Sequence, residues 1–232
     1  MATTWIVGDV HGCAAELNDL LERLALASGD RVILVGDLLD KGPDPVKVLD
    51  TLRDVGGRSV LGNHDVAVRD HGRARLGIAP ADREPAPYVV TCLDRLAAAG
   101  RLEEAVALCA SLPLHLRGDG FVVVHGGFDP ERGPDGTPER LAVTLREFPP
   151  GVPGAPRWWT RWPGPETVVF GHDARQGLLR HEVDGRPRCI GLDSGLVYGG
   201  RLSAWSPERD VLVQVPARRV WHPKATVRAA HG

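Results

Sequence analysis

Two hydrophobic periods alternate along this chain. The runs TWIV at 4–7, RVILV at 31–35 and RSVL at 58–61 are short and rich in β-branched residues, which fits strands covered on both faces. Between them the apolar positions recur every three or four residues. In 14–27 (AAELNDLLERLALA) Leu17, Leu20, Leu21 and Leu24 mark one helical stripe. Residues 44–55 (DPVKVLDTLRDV) open with Asp44 as N-cap and Pro45 at the first helical position. Residues 88–112 read as one or two helices broken near Gly100. Two more buried strands follow, in GFVVVHGG (120–127) and ETVVFGH (166–172). Then come LLRHEV, RCIGLD, RLSAW and VLVQV, an antiparallel series with turns at DGRP and SPERD. Strands that alternate with helices and then follow one another directly predict an α/β (α+β) chain, parallel early and antiparallel late.

Residues 128–165 are dense in proline and glycine, and so long a weakly structured connection is expected to serve the substrate. Residues 1–216 are expected to form one domain with 70–112 as a helical segment, leaving 217–232 as a polar tail that frays. Composition narrows this picture without changing it. The 28 basic and 30 acidic residues leave a net charge of −2, without the broad basic face that a nucleic-acid duplex requires. No apolar run approaches the roughly 18 residues of a membrane span. Cys13, Cys92, Cys109 and Cys189 are far apart, form no CxxC pair and follow no secretory leader. They read as reduced, structural thiols of a cytoplasmic protein, expected to be a monomer.

Chemistry enters at the strand ends. VGDVHG, VGDLLDKG, LGNHD, VHGG and FGHD share one grammar: an apolar strand stops at or beside a glycine, and metal-ligand residue types stand next to it. Ligand crevices in open α/β sheets lie at the carboxyl ends of the strands, so Asp9, His11, Asp37, Asn63, His125 and His172 are expected to converge. His71, His115, His181, His222 and His231 lack that context and are expected to be surface or core histidines.

Two divalent cations about 3.5–4 Å apart need oxygen and imidazole ligands and one shared carboxylate. Asp37 is the expected bridge, with Asp9 and His11 on the first ion and Asn63, His125 and His172 on the second. A water between such ions has its pKa lowered from about 15.7 toward roughly 7, which supplies hydroxide for in-line attack on phosphorus. The ligand types favour manganese, with iron, cobalt or zinc as alternatives.

GDVHG, GDLLDKG, GNHD, HGG and GHD, spanning residues 8–173, closely resemble the phosphoprotein phosphatase group of the calcineurin-like metallophosphoesterases. The resemblance implies a four-layer fold, a central two-sheet mixed β-sandwich flanked by helices, with a dinuclear site at its edge. It also implies that His64 protonates the leaving oxygen and that Asp40 orients His64. Lys41 departs from the arginine of the protein phosphatases and offers a point charge in place of a planar fork. Together with GLDSGLVYGGRLSAW (191–205), it is closer to the symmetrical diadenosine tetraphosphate hydrolases and ApaH-like phosphatases, although Leu196 replaces the cysteine typical of that segment.

A second phosphate-gripping arginine is expected from WWTRW, with Arg161 first and Arg157 in reserve. Asn63 and Lys41 complete the phosphate contacts. Trp158, Trp159, Trp162 and Tyr198 are candidates for stacking on adenine, and Cys13 is expected to be buried without function. The expected substrate is a small dinucleoside polyphosphate cleaved symmetrically. A serine/threonine or tyrosine protein phosphatase, a polyphosphate or nucleoside triphosphate hydrolase, and a nucleotide-binding pseudoenzyme are the alternatives.

Overall fold

The computed structural model describes residues 2–223. Its first sheet contains β1 (Thr4–Val7), β2 (Arg31–Leu34), β3 (Arg58–Ser59), β9 (Arg201–Ser206) and β10 (Val211–Pro216), in the order β10-β9-β1-β2-β3. The second contains β4 (His115–Gly118), β5 (Phe121–Val124), β6 (Thr167–Phe170), β7 (Leu179–Val183) and β8 (Arg186–Gly191), in the order β4-β5-β6-β8-β7. Both sheets are mixed. β1, β2 and β3 run parallel in one and β5, β6 and β8 in the other; antiparallel β9 adjoins the first trio at β1, and antiparallel β4 and β7 flank the second.

Side-chain alternation explains the unbroken apolar runs. Ile6, Ile33 and Val35 point into the interior between the sheets and meet Val123, Val169 and Ile190. Trp5, Val7, Val32 and Leu34 point the other way, onto the apolar faces of α1 (Ala14–Leu24) and α2 (Pro45–Asp54) and the nearby helices. Val122, Val124, Val168 and Phe170 cover the outer face of the second sheet with Phe128, Leu145, Phe148 and Trp158. Every such position is buried, and each large aliphatic side chain contributes about 1.5–3 kcal/mol. This is the expected two-sheet arrangement flanked by helices.

Asp44 caps α2 as expected, its side chain accepting from the Lys47 N–H at 3.0 Å, with Pro45 in the first turn. Residues 88–112 resolve into α4 (Pro87–Ala98) and α5 (Leu102–Ser111), divided where Gly100 takes φ +67°. Other expectations needed correction. α1 stops at Leu24, because Ala25 turns left-handed at φ 48°. β3 is two residues long, and β4 was not foreseen. α3 (Asn63–Arg75) starts inside the GNHD motif; its composition is too polar to show an apolar stripe.

The 128–165 connection holds α6 (Gly133–Gly136), α7 (Glu139–Thr144) and a 3-10 turn at Trp158–Arg161. Residues 217–223 do not hang free. Ala217 N–H donates to Gly200 O (2.9 Å), and the N–H groups of Trp221 and His222 both donate to Val197 O (3.1 and 2.9 Å). The rest of the expected tail, His231 included, lies outside the described residues. None of the helices among the described residues is long and apolar enough to cross a membrane.

Candidate metal centre and its cleft

The six parallel strands deliver their carboxyl ends to one edge of the sandwich, three from each sheet. The turns that follow are tight, and His11, Asp37, Lys41 and His172 all hold positive φ (49°, 56°, 65° and 73°). Such left-handed backbone at a non-glycine residue costs about 1–3 kcal/mol and persists only where surrounding contacts dictate it. Here the His11 and Gly12 N–H groups donate to Asp37 O and Leu38 O, both at 2.8 Å, locking the first two turns together. The glycines in the strand-end motifs have a steric reason. A Cβ at Gly62 would collide with the Asp37 carboxylate, and one at Gly171 with that of Asp9.

Asp9, Asp37 and His125 form a buried trio of ligand atoms within 4.8 Å of one another. His125 Nε2 lies 3.3 Å from Asp37 Oδ1 and 3.0 Å from Asn63 Oδ1. His172 Nδ1 lies 2.8 Å from the same Asn63 oxygen. The His172 N–H donates to Asp9 Oδ2 (3.2 Å), while among the described residues its Nε2 is buried without a hydrogen-bond partner. His125 Nδ1–H donates to Val35 O (2.8 Å), which turns Nε2 toward the carboxylates.

Burial of so much negative charge leaves its mark. Burial, with the charges of Asp193 and Asp37, raises the Asp9 pKa well above the usual carboxylate range. Burial also raises Asp37, but His125 and His64 outweigh it and hold that carboxyl well below the range. Burial alone would lower His125, yet the Asp37 and Asp9 charges bring it up to about 10. A proton on His125 thus does the electrostatic work that a cation would do better. The donor set is hard oxygen plus imidazole, and these residues fit a divalent metal.

A second group, His11, Asp40 and His64, is as compact but has another character. Asp40 is fully buried, and each of its oxygens accepts one imidazole Nδ1–H: His11 at 3.0 Å and His64 at 2.6 Å. Burial raises the Asp40 pKa, but His64 and His11 outweigh this and keep it ionised. Its lone pairs are therefore spent on orienting two rings. The His11 ring presents Nε2 toward Asp37 Oδ2 (3.5 Å). The Lys41 ammonium lies 2.8 Å from His64 Nε2 and 3.3 Å from His11 Nε2. Burial works against charge on both Lys41 and His64, but Asp37 and Asp40 prevail and raise both pKa values.

Asp65 and Asp193 also belong here. Asp65 accepts three backbone N–H groups, from Asp37 (2.8 Å), Leu38 (2.9 Å) and Gly62 (2.9 Å), and so ties the β2 turn to the start of α3. Burial and the Asp37 charge raise its pKa to about 7. Asp193 follows β8, in "IGLD", and its pKa rises to about 6 through burial and the Asp37 charge. It stands two residues after the glycine that ends its strand, one position further than in the other motifs, so a looser form of the same signal was present in the sequence.

The cleft above these groups has a volume of about 380 Å³ and is lined by Lys41, His64, His172 and Asp173, with Arg146 and Arg175 on one wall and Tyr88, Tyr198 and His222 on another. Arg161 is not in it. Its guanidinium is exposed and sits 5.8 Å from the Phe148 ring centroid, because the 3-10 turn directs it away from the strand ends. Asp173 gathers Arg157 (2.9 Å), Arg175 (3.0 Å) and Arg146 (3.6 Å) instead. The tryptophans are not in the cleft either. Trp158 packs on Phe170 in the core, Trp159 donates to Gln176 Oε1 and Trp162 to Glu166 O. Of the stacking candidates only Tyr198 reaches the cleft.

Cys13, Cys92, Cys109 and Cys189 are all buried and unpaired, and burial raises their pKa values, so they are inert thiols. His71 is buried, His115 pairs with Asp135 (3.2 Å) and His181 faces the Trp159 ring. His222, expected to be one of this group, is instead part of the cleft.

A chain so built has evident relatives. The family profile described as calcineurin-like phosphoesterase matches residues 2–200. Proteins named bis(5'-nucleosyl)-tetraphosphatase, symmetrical, from Janthinobacterium sp. (strain Marseille) and Erwinia tasmaniensis are 27% and 30% identical, covering 92% and 94% of this chain and 96% and 98% of their own lengths. A crystal structure described as that of a candidate diadenosine tetraphosphatase is 34% identical, with a TM-score of 0.72, covering 93% of this chain and 94% of the other. A serine/threonine phosphatase from Saccharomyces cerevisiae, 16% identical with a TM-score of 0.59 over 96% of this chain and 82% of its own, shares the fold. With the profile covering most of the chain and all five strand-end motifs, this chain belongs to the calcineurin-like phosphoesterases, hydrolases that use divalent metals.

Proposed function

We propose that this protein hydrolyses dinucleoside polyphosphates, diadenosine tetraphosphate first among them, symmetrically to two molecules of ADP. Two observations support this substrate: relatives about 30% identical over nearly their whole length carry that activity in their names, and the cleft is lined with cationic side chains. The observation that carries the hydrolytic chemistry is the convergence of the buried carboxylate–imidazole cluster with the Asp40-anchored His64, next to a cleft that His64 and His172 line.

Asp9, His11 and Asp37 would hold one cation and Asp37, Asn63, His125 and His172 a second, with manganese the first choice. Bound there, the cations supply Lewis-acid charge to phosphoryl oxygens and lower the pKa of water. Lys41 places a positive charge beside His64, and Arg146 and Arg175 line the approach, where they steady the charge of the polyphosphate chain. Asn63 places its Oδ1 between His125 Nε2 and His172 Nδ1. His64 delivers a proton from Nε2 to the departing phosphate oxygen, while Asp40 holds its Nδ1–H and favours the charged ring.

The test is purified protein with manganese on three substrates side by side: diadenosine tetraphosphate, inorganic polyphosphate and a phosphopeptide. ADP as sole product from the first, at the highest kcat/KM of the three, is the expected result. AMP with ATP refutes symmetrical cleavage, and a preference for the phosphopeptide refutes the substrate class. Asp37→Asn and His64→Asn should each lower kcat by about 10²-fold or more with the fold intact.

A further inference from the structure

One wall of the cleft is aromatic, and three distant parts of the chain build it. Tyr88 comes from α4, Tyr198 from the turn after Asp193, and His222 from the segment beyond β10. The His222 ring centroid lies 5.4 Å from that of Tyr88 and 6.2 Å from that of Tyr198, at interplanar angles of 80° and 61°. Tyr88 in turn meets the His64 ring at 5.5 Å, so the wall begins at the proposed proton donor. All three rings are half-buried, leaving part of their surface toward the cleft.

His222 is held there by contacts unrelated to the strand ends. The Arg218 N–H and Trp221 Nε1–H both donate to Glu16 Oε1 (2.9 and 2.7 Å), and the Arg218 guanidinium pairs with Asp19 (2.7 Å). Arg219 stacks over the Trp221 ring at 4.0 Å, and Val220 closes on Gly199. Burial and the nearby Lys41 ammonium lower the His222 pKa, so its ring is neutral near pH 7.

The two walls suit different parts of one ligand. Arg146 and Arg175 suit anionic oxygens, whereas uncharged rings suit a flat heterocycle, whose π-face stacks on aromatic side chains whichever base it is. We propose that Tyr88, Tyr198 and His222 form the subsite for the heterocyclic base of a nucleotide whose phosphates lie over Lys41 and His64. The proposal rests on the reading of the substrate as a nucleoside polyphosphate. It makes His222 a specificity-determining residue for that substrate.

The experiment is calorimetric titration of the manganese-loaded protein with AMP and with ribose 5-phosphate, which shares the sugar phosphate and has an anomeric hydroxyl in place of the base. Wild type is expected to bind AMP about ten-fold tighter or more. His222→Ala and Tyr88→Leu should each shrink that ratio by about five-fold or more, whereas His222→Phe, which restores a ring, should keep it. Equal affinity for the two ligands in wild type overturns the proposal. So does a ratio that neither variant moves, since the base is then read elsewhere. The ratio is measured without turnover, so a failure of the diadenosine tetraphosphate assay and a failure of the base subsite are seen separately.

Discussion

Replacing Asp65 tests the argument that the proposed metal centre is held by a buried carboxylate that touches no substrate. In Asp65→Ala three buried N–H groups, of Asp37, Leu38 and Gly62, lose their acceptor together. Each orphaned donor costs about 1–3 kcal/mol. Relief from burying a carboxyl whose pKa is raised to about 7, and entry of water into the space left, offset part of the sum, giving about 3–5 kcal/mol net. For a chain of 232 residues each kcal/mol moves Tm by about 2–4 °C, so Tm should fall by about 6–20 °C. Asp65→Asn keeps one oxygen able to accept two of the three bonds and should lose about 1–3 kcal/mol.

The sign of the pH effect follows from the raised pKa. The folded protein holds a proton on Asp65 that the unfolded chain releases near 3.8, so this group stabilises the fold less as pH rises from about 4 to 7. The stability gap between wild type and Asp65→Asn should therefore narrow between pH 5 and pH 8, measured by urea denaturation without metal. Manganese affinity should drop in Asp65→Ala, because the turns carrying Asp37 and Asn63 are no longer tied. Wild-type stability in Asp65→Ala, within about 1 kcal/mol, would refute the reasoning.

Three further outcomes follow. Asp40→Asn removes a carboxylate that favours the His64 imidazolium, so the basic limb of the kcat/KM profile should move to lower pH and kcat fall by about 10²-fold; an unmoved limb contradicts the pairing. Metal binding at pH 7 should release at least one proton, His125 being raised to about 10 beside Asp37, read from calorimetric heats in buffers of differing ionisation enthalpy; zero release contradicts a charged His125 that becomes a ligand. Gly62→Ala drives a methyl group into the Asp37 carboxylate and should abolish manganese binding at micromolar metal; retained affinity would show that the turn can yield.

The strands and the ligand-bearing turns were legible in the sequence because both are written locally. β1, β2, β5 and β6 are buried on both faces, so their runs carry no polar gap, and each stops at or beside a glycine that has no room for a side chain, because the backbone of another segment or a carboxylate or imidazole lies against it. The break at Gly100 was legible for the same reason, a single residue at positive φ. α3 was hidden because its residues 63–75 are mostly polar, and its start is fixed by Asp65 gripping another turn rather than by an apolar stripe.

Tertiary structure decided what local pattern could not encode. The sequence pointed to Arg161, with Arg157 in reserve, but the 3-10 turn at Trp158–Arg161 sends Arg161 onto Phe148 while Arg146, beside Asp173, lines the cleft. Asp40 was expected to serve His64 and proves to hold His11 as well, since one carboxylate has two oxygens and only the fold says what faces each. His222 is 158 residues from His64, yet both line the cleft, because Glu16 and Asp19 of α1 draw the segment after β10 back across the first sheet. Residue types and spacing determined which chemistry the chain is equipped for. The packing of two sheets determined which side chains share a charge, a proton and a wall, because those contacts are set by distances across the fold and not along the chain.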